Sequence, residues 1–244
     1  MTKCQRPIMA IIILGLFSLP IMVLSQGSNP PPAGAPTPAP ETLTLDQVIA
    51  KVQANYAAIN TYSTDFEQEL LSLSQGRVIS RGAGTVIYKK PSKMVWTYQT
   101  PEEHLYITDG NTIWDYAPAD KEAYIIPMKD ALYKSFLIGL GDLKKEFEVS
   151  FHSGRAKNQD GLYQLDLVPR DQAERETIGT ITLYVDPKDF LVRITEMTDV
   201  LSNQNRIAFK NMKLNPELDD ALFKFNPPPG VKVIKAQDIV PAQP

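Results

Sequence analysis

The side chains with the widest chemical scope gather around one short stretch. His104 follows Glu102 and Glu103, a spacing that could set a carboxylate against an imidazole for general acid–base work. Asp109, Asp115 and Asp120 recur near a turn and could offer oxygens to a hard cation. Each has a simpler reading. His104 stands where a strand would begin at the surface, and Asp109-Gly110 is turn chemistry, with glycine supplying the positive φ. The other histidine, His152, belongs to a distant strand. No Gly-x-Ser-x-Gly, His-Glu-x-x-His, phosphate-cradling glycine loop or calcium loop occurs. Paired carboxylates for glycoside hydrolysis could come from distant segments, but nothing positive supports them. The expectation is a protein that is not an enzyme and holds no metal or cofactor. An exported hydrolase, its turnover abolished by His104→Ala, is the remote alternative.

The elements around those residues say more. Gly84 to Trp114 holds Lys89-Lys90-Pro91, then Met94-Val95-Trp96-Thr97-Tyr98, then the turn Asp109-Gly110-Asn111 and Thr112-Ile113-Trp114-Asp115-Tyr116. Both tryptophans lie here, in short strands. Large rings on a pleated surface either pack a dry core or line a hollow, and function turns on which.

Composition narrows the classes. The 244 residues carry a net charge of −3, which argues against a nucleic-acid binder with its basic stripe. Lys3 and Arg6 precede an apolar run from Ile8 to Leu24, so residues 1–25 read as a secretory signal, cut near Ser25. Pro20 interrupts that run and weighs against an uncleaved span. Cys4, the one cysteine, precedes the run, whereas lipidation needs a cysteine just after it. The mature chain would then lack any thiol and depend on its apolar core. Residues 26–41 hold six prolines among small residues and read as a passive extended linker.

The folded part is expected over residues 42–234, followed by a tail, 235–244. Thr44-Leu45-Asp46-Gln47 fits a capping box. Leu45, Val48, Ile49, Val52, Tyr56 and Ile59 then fall on one helical face. From Tyr62 the period is two: Tyr62, Thr64, Phe66, Gln68 and Leu70 share a face. Further strands are expected at Val78–Tyr88, Met94–Tyr98, Leu105–Thr108, Thr112–Tyr116, Glu122–Ile126, Phe147–His152, Tyr163–Val168, Ile178–Val185, Phe190–Thr198 and Arg206–Asn211. Turn-like links such as Gln75-Gly76 and Asp160-Gly161 favour antiparallel neighbours. About eleven such strands should curl toward a barrel. Between Lys129 and Lys145, Ala131, Leu132, Phe136, Leu137, Leu140 and Leu143 recur at helical spacing, divided by Gly139 and Gly141 into two short helices. Amphipathic helices cannot leave their apolar faces in water, so they should cover the curled sheet.

At this point the residues resemble a known family, LolA, the periplasmic outer-membrane lipoprotein carriers. The resemblance rests on Phe66-Glu67-Gln68, Gly82-x-Gly84, Lys90-Pro91-x-x-Met94-x-Trp96-x-Tyr98-x-x-Pro101, Thr108-Asp109-Gly110-x-Thr112-x-Trp114-x-Tyr116-x-Pro118, and Phe223-x-Phe225-x-Pro227-Pro228-x-Gly230-Val231. It spans about Leu43 to Val233. It implies a mainly β fold, an unclosed antiparallel barrel under a lid of short helices, with an apolar cavity for the acyl chains of lipoproteins. It implies a periplasmic chaperone, expected to be a monomer, whose partners are the inner-membrane releasing complex LolCDE, the acylated cargo and a LolB-like outer-membrane acceptor. Two departures stand out. The family has arginine at position 90 as a lid fastener, and lysine keeps the charge but loses the planar fork. Phenylalanine is frequent where Met94 stands. On this resemblance Val52, Tyr56, Ile59, Met94, Trp96, Trp114, Phe136 and Leu137 would line the cavity and Lys90 would close it. The alternatives are a half-barrel acceptor, which would need a lipidated cysteine, and an envelope-stress sensor, which would usually carry a second domain.

Overall fold

The computed structural model describes residues 43–127 and 142–235. The expected signal segment and linker, most of the expected helical insertion (Phe136 and Leu137 included) and residues 236–244 lie outside the described residues. The chain opens with helix α1, Leu45–Ala58. The Gln47 amide N–H donates to the Thr44 hydroxyl at 3.3 Å, and the Thr44 N–H donates to the Gln47 side chain at 2.8 Å. Two amides that would lack helical partners are thereby satisfied. Thr44→Ala should cost about 0.5–1 kcal/mol, because the box is exposed to water, and a chemical-denaturation midpoint would record the loss.

Twelve strands follow: β1 Thr61–Ser72, β2 Arg77–Lys89, β3 Lys93–Thr100, β4 His104–Thr108, β5 Thr112–Ala117, β6 Glu122–Pro127, β7 Phe147–Phe151, β8 Tyr163–Pro169, β9 Thr180–Val185, β10 Val192–Thr198, β11 Asn203–Leu214 and β12 Lys232–Lys235. They form one sheet in the order β12-β6-β5-β4-β3-β2-β1-β11-β10-β9-β8-β7. Its edges, β12 and β7, do not pair, so the barrel is unclosed, as expected. Two further α-helices among the described residues are short, α2 (Leu143–Glu146) and α3 (Gln172–Ile178).

All eleven expected strands are present, and two elements escaped the pattern. Lys232–Lys235 forms a twelfth strand that pairs parallel with β6 through Lys232↔Glu122 and Ile234↔Tyr124. Four residues are too few for a period. Helix α3 occupies the β8–β9 connection, capped by Asp171, whose side chain accepts the Glu174 N–H at 3.0 Å. Ile178 therefore ends a helix instead of beginning a strand.

Strand alternation gives the sheet two unlike faces. On one, α1 lies over Leu165, Leu167, Ile181, Leu183 and Val185, burying Val48, Ile49 and Val52 among them. On the same face a second apolar cluster gathers Ile59, Tyr62, Phe66, Val86, Tyr88, Met94, Trp96 and Ile207. Gly84 lets β2 and β3 approach beneath the rings: a Cβ there would overlap the Thr97 carbonyl. On the opposite face a C-terminal segment crosses β2–β5 and packs Phe223 on Val95 and Ile107. Lys89 and Lys93 hold this segment through the Asp220 carboxylate, at 2.7 and 2.8 Å.

Candidate functional site

The sequence-derived site residues are separated by strand parity. Met94 and Trp96 face α1, and Val95 faces away. The register Val95↔Ile107↔Trp114 across β3, β4 and β5 carries Trp114 to the face away from α1. There it meets Phe225, with ring centroids 5.2 Å apart. Trp114 thus lies beneath the C-terminal segment and not beside Trp96. Grouping the two tryptophans treats neighbouring strands as if they shared a phase, and a single residue of register reverses a side chain's face. Ile113, paired with Thr108 opposite Met94, occupies the α1 face instead.

The other described residues come together. Val52 is fully buried on the core-facing side of α1, and Ile59, Met94 and Trp96 belong to the neighbouring cluster, with Tyr56 packed against both. Trp96 sits edge-on to Phe66 at 4.6 Å and near Phe209 at 6.4 Å. Its indole N–H donates to the Met94 sulfur at 2.8 Å. A buried indole needs an acceptor, which methionine offers and phenylalanine does not. Burial of its hydroxyl pushes the Tyr56 phenol up to about 12, although that oxygen accepts the Val192 N–H at 3.2 Å. A neutral phenol is what an apolar surrounding requires.

Lys90 joins the two halves. It follows β2 directly, and its ammonium donates to the carbonyls of Tyr56, at 3.1 Å, and Ala57, at 2.7 Å. These are last-turn carbonyls of α1, which carries no basic residue of its own there. Lysine supplies both the missing donors and the positive charge that a helix C-terminus favours. The Lys90 amide also donates to Asn60 at 2.8 Å, and the Asn55 side chain bonds the Asp189 carbonyl. The C-terminal half of α1 is therefore held by a few polar contacts above an aromatic and aliphatic layer.

Farther along that face the surface turns polar. Tyr98 donates to the Gln68 side chain at 2.9 Å, and Gln68 donates to Asn205 at 2.8 Å. His104 pairs with Asp115 and stacks on Tyr106. Its carboxylate partner is thus a residue of β5 and neither of the adjacent glutamates. Burial, with Asp115 adding repulsion, pushes the Tyr106 phenol up to about 12. Among the described residues, no group of three or more His, Cys, Asp or Glu is placed to hold a metal ion, and Asp109 caps its own turn through the Asn111 N–H at 2.9 Å.

Under the C-terminal segment, Lys89 and Lys93 hold the Asp220 carboxyl well below the usual range, at about 2. A depressed carboxylate contributes stability that is complete above its unfolded pKa, near 3.9, and is lost as pH falls through about 2. The clasp should therefore loosen between about pH 4 and 2. An NMR titration of the Asp220 carboxyl should show the low midpoint, and Lys89→Gln should move it upward.

An unclosed, twelve-stranded, mostly antiparallel sheet with a helix fastened over its apolar face makes this protein a half-barrel. A sequence model of LolA, the outer membrane lipoprotein carrier protein, matches residues 57–226, and the chain belongs to that family. The outer-membrane lipoprotein carrier protein of Bordetella avium is 29% identical over 200 residues, covering 81% of this chain and 91% of its own. That of Legionella pneumophila is 28% identical over 196 residues, covering 78% and 92%. A crystal structure of an uncharacterized conserved protein from Thermus thermophilus shares the fold, with a TM-score of 0.51 at 12% identity over 78% of this chain and 98% of the other. No described helix is long and apolar enough to cross a membrane.

Proposed function

We propose that this protein is a periplasmic carrier, without enzymatic activity, that takes acylated lipoproteins from the inner to the outer membrane. The acyl chains would lie against the α1 face of the sheet. The observation that carries this reading is the Lys90 fastening: one ammonium bonds the end of α1 over a layer built from Ile59, Tyr62, Phe66, Met94 and Trp96. Membership of the family supports it. Val52, Tyr56, Ile59, Met94 and Trp96 are the described residues assigned to the acyl site, with Phe136 and Leu137 as further candidates; Trp114, on the other face, is not assigned to it.

A carrier is needed because lipid anchors do not leave membranes unaided. Each buried CH₂ contributes about 0.8 kcal/mol, so three acyl chains hold with on the order of 30 kcal/mol. The carrier must offer an apolar surface of comparable extent and still release. A cover held by few hydrogen bonds meets both needs, because opening it exposes the apolar layer at small polar cost. Partners on this reading are a LolCDE-type releasing complex, the acylated cargo and a LolB-like acceptor. The test is displacement of bis-ANS from the purified protein by a triacylated peptide, with mass spectrometry of protein recovered from the periplasm. Bound lipoprotein and displacement are expected. A protein that takes up neither probe nor acylated peptide would rule the reading out.

A further inference from the structure

At one end of the sheet the β1–β2 hairpin reaches past β3. β2 pairs with β3 only from Ala83 onward, leaving Arg77–Gly82 beyond the edge of β3. At about 3.3 Å per residue this projection is close to 20 Å long. β1 continues to Ser72, paired with Arg77 and with Asn203 of β11. The β1–β2 and β10–β11 turns therefore stand side by side at this end of the sheet, joined by the Leu73 N–H, which donates to the Ser202 carbonyl at 2.9 Å.

The tip is apolar and wet. Leu73 is 49% exposed, Val200 65% and Leu201 73%. Ile79, 46% exposed, is the extra residue where Leu70↔Ser80 is followed by Leu71↔Val78, a bulge that takes it out of the ladder. Aliphatic side chains at a turn apex are unusual, since turns favour polar residues and glycine. The tip's own backbone is unusually well satisfied. The Asp199 carboxylate accepts the N–H groups of Leu201 and Asn203, both at 2.8 Å, and the Asn203 amide at 2.9 Å. Internally paired amides are what a loop needs to leave water for hydrocarbon. Just behind the apex, Arg77 bonds the Gln75 side chain at 2.7 Å and has no carboxylate partner among the described residues.

We infer that this twin-hairpin tip is a membrane-contact device that places Leu73, Val200 and Leu201 among lipid acyl chains and Arg77 at anionic headgroups. A bilayer fits better than a protein partner. Protein hot spots draw on tryptophan, tyrosine and arginine set in pockets, whereas the large exposed apolar residues of this apex, Leu73, Val200 and Leu201, are all aliphatic. The cationic Arg77 complements anionic lipid at the depth where headgroups would lie. The inference concerns where the protein touches a membrane and is independent of what the α1 face binds.

The test places a nitrobenzoxadiazole label at position 201 through Leu201→Cys in the full chain carrying Cys4→Ser. A control label goes at Asp160→Cys, in the β7–β8 connection at the other end of the sheet. Vesicles of three parts phosphatidylethanolamine to one part phosphatidylglycerol are then added. Emission at position 201 should rise at least twofold and shift to the blue, while position 160 stays unchanged. In flotation, Leu73→Ser with Leu201→Ser should lower vesicle binding at least fivefold at an unaltered Tm, and Arg77→Gln should abolish the dependence on phosphatidylglycerol. Vesicle binding through the N-terminal apolar segment alone would leave both labels aqueous and flotation unaltered by the tip substitutions. An aqueous signal at 201, an equal response at 160, or equal flotation of parent and variant would overturn the inference. So would a response that appears with protein concentration alone, which would assign the tip to a second copy of the chain.

Discussion

Trp96→Ala is expected to lower stability by about 3–5 kcal/mol, the usual range for emptying a large aromatic site in a core. For a domain of this size that corresponds to a fall in Tm of roughly 6–20 °C. Trp96 is among the largest fully buried side chains, in contact with Phe66, Tyr98 and Phe209, and its loss leaves the Met94 sulfur without its donor. Trp114→Ala provides the contrast. That ring is half-buried on the other face, against Phe225, so its removal should cost less and leave bis-ANS binding at the α1 face unchanged. Trp96→Ala should alter the probe's affinity even at temperatures where the variant is fully folded. Calorimetry and probe titration on both variants check this. Equal responses from the two tryptophans would refute the separation of faces as a functional one.

Lys90→Met should loosen the C-terminal end of α1 while Val48, Ile49 and Val52 keep the rest of the helix seated on the core. A hydrogen bond from a charged donor contributes about 1.5–3 kcal/mol, and partial solvation of this ammonium brings the expected loss to about 1–2 kcal/mol. The closed state would then lose roughly 5- to 30-fold in population against an open one. Hydrogen exchange should quicken at the α1 amides while those of β8 and β9 hold their protection. Uptake of an acylated probe should tighten, because opening no longer opposes binding. Lys90→Arg should restore closure, since its fork can reach both the Tyr56 and Ala57 carbonyls. Unchanged exchange at α1 in Lys90→Met would remove the fastening role.

The reach and the limits of sequence reading follow from which forces are local. The capping box at Thr44, the helical stripe from Val48 to Tyr56 and the period-two run from Tyr62 each report a neighbourhood of a few residues, and each element formed as expected. The half-barrel class was likewise legible, because many short strands with tight turns leave few topologies.

What the chain alone determined, then, is the inventory of its elements and the apolar face of each, because propensity, capping and burial period act between near neighbours. Tertiary structure decided which faces meet. Only the register from β3 to β5 sends Trp114 away from Trp96, and only the fold brings Lys90 within 3.1 Å of carbonyls 33 and 34 residues earlier. The pairing of β12 with β6 and the reach of the β1–β2 hairpin past β3 were decided the same way. Each depends on contacts between segments distant in the chain, and no local period records how such segments align.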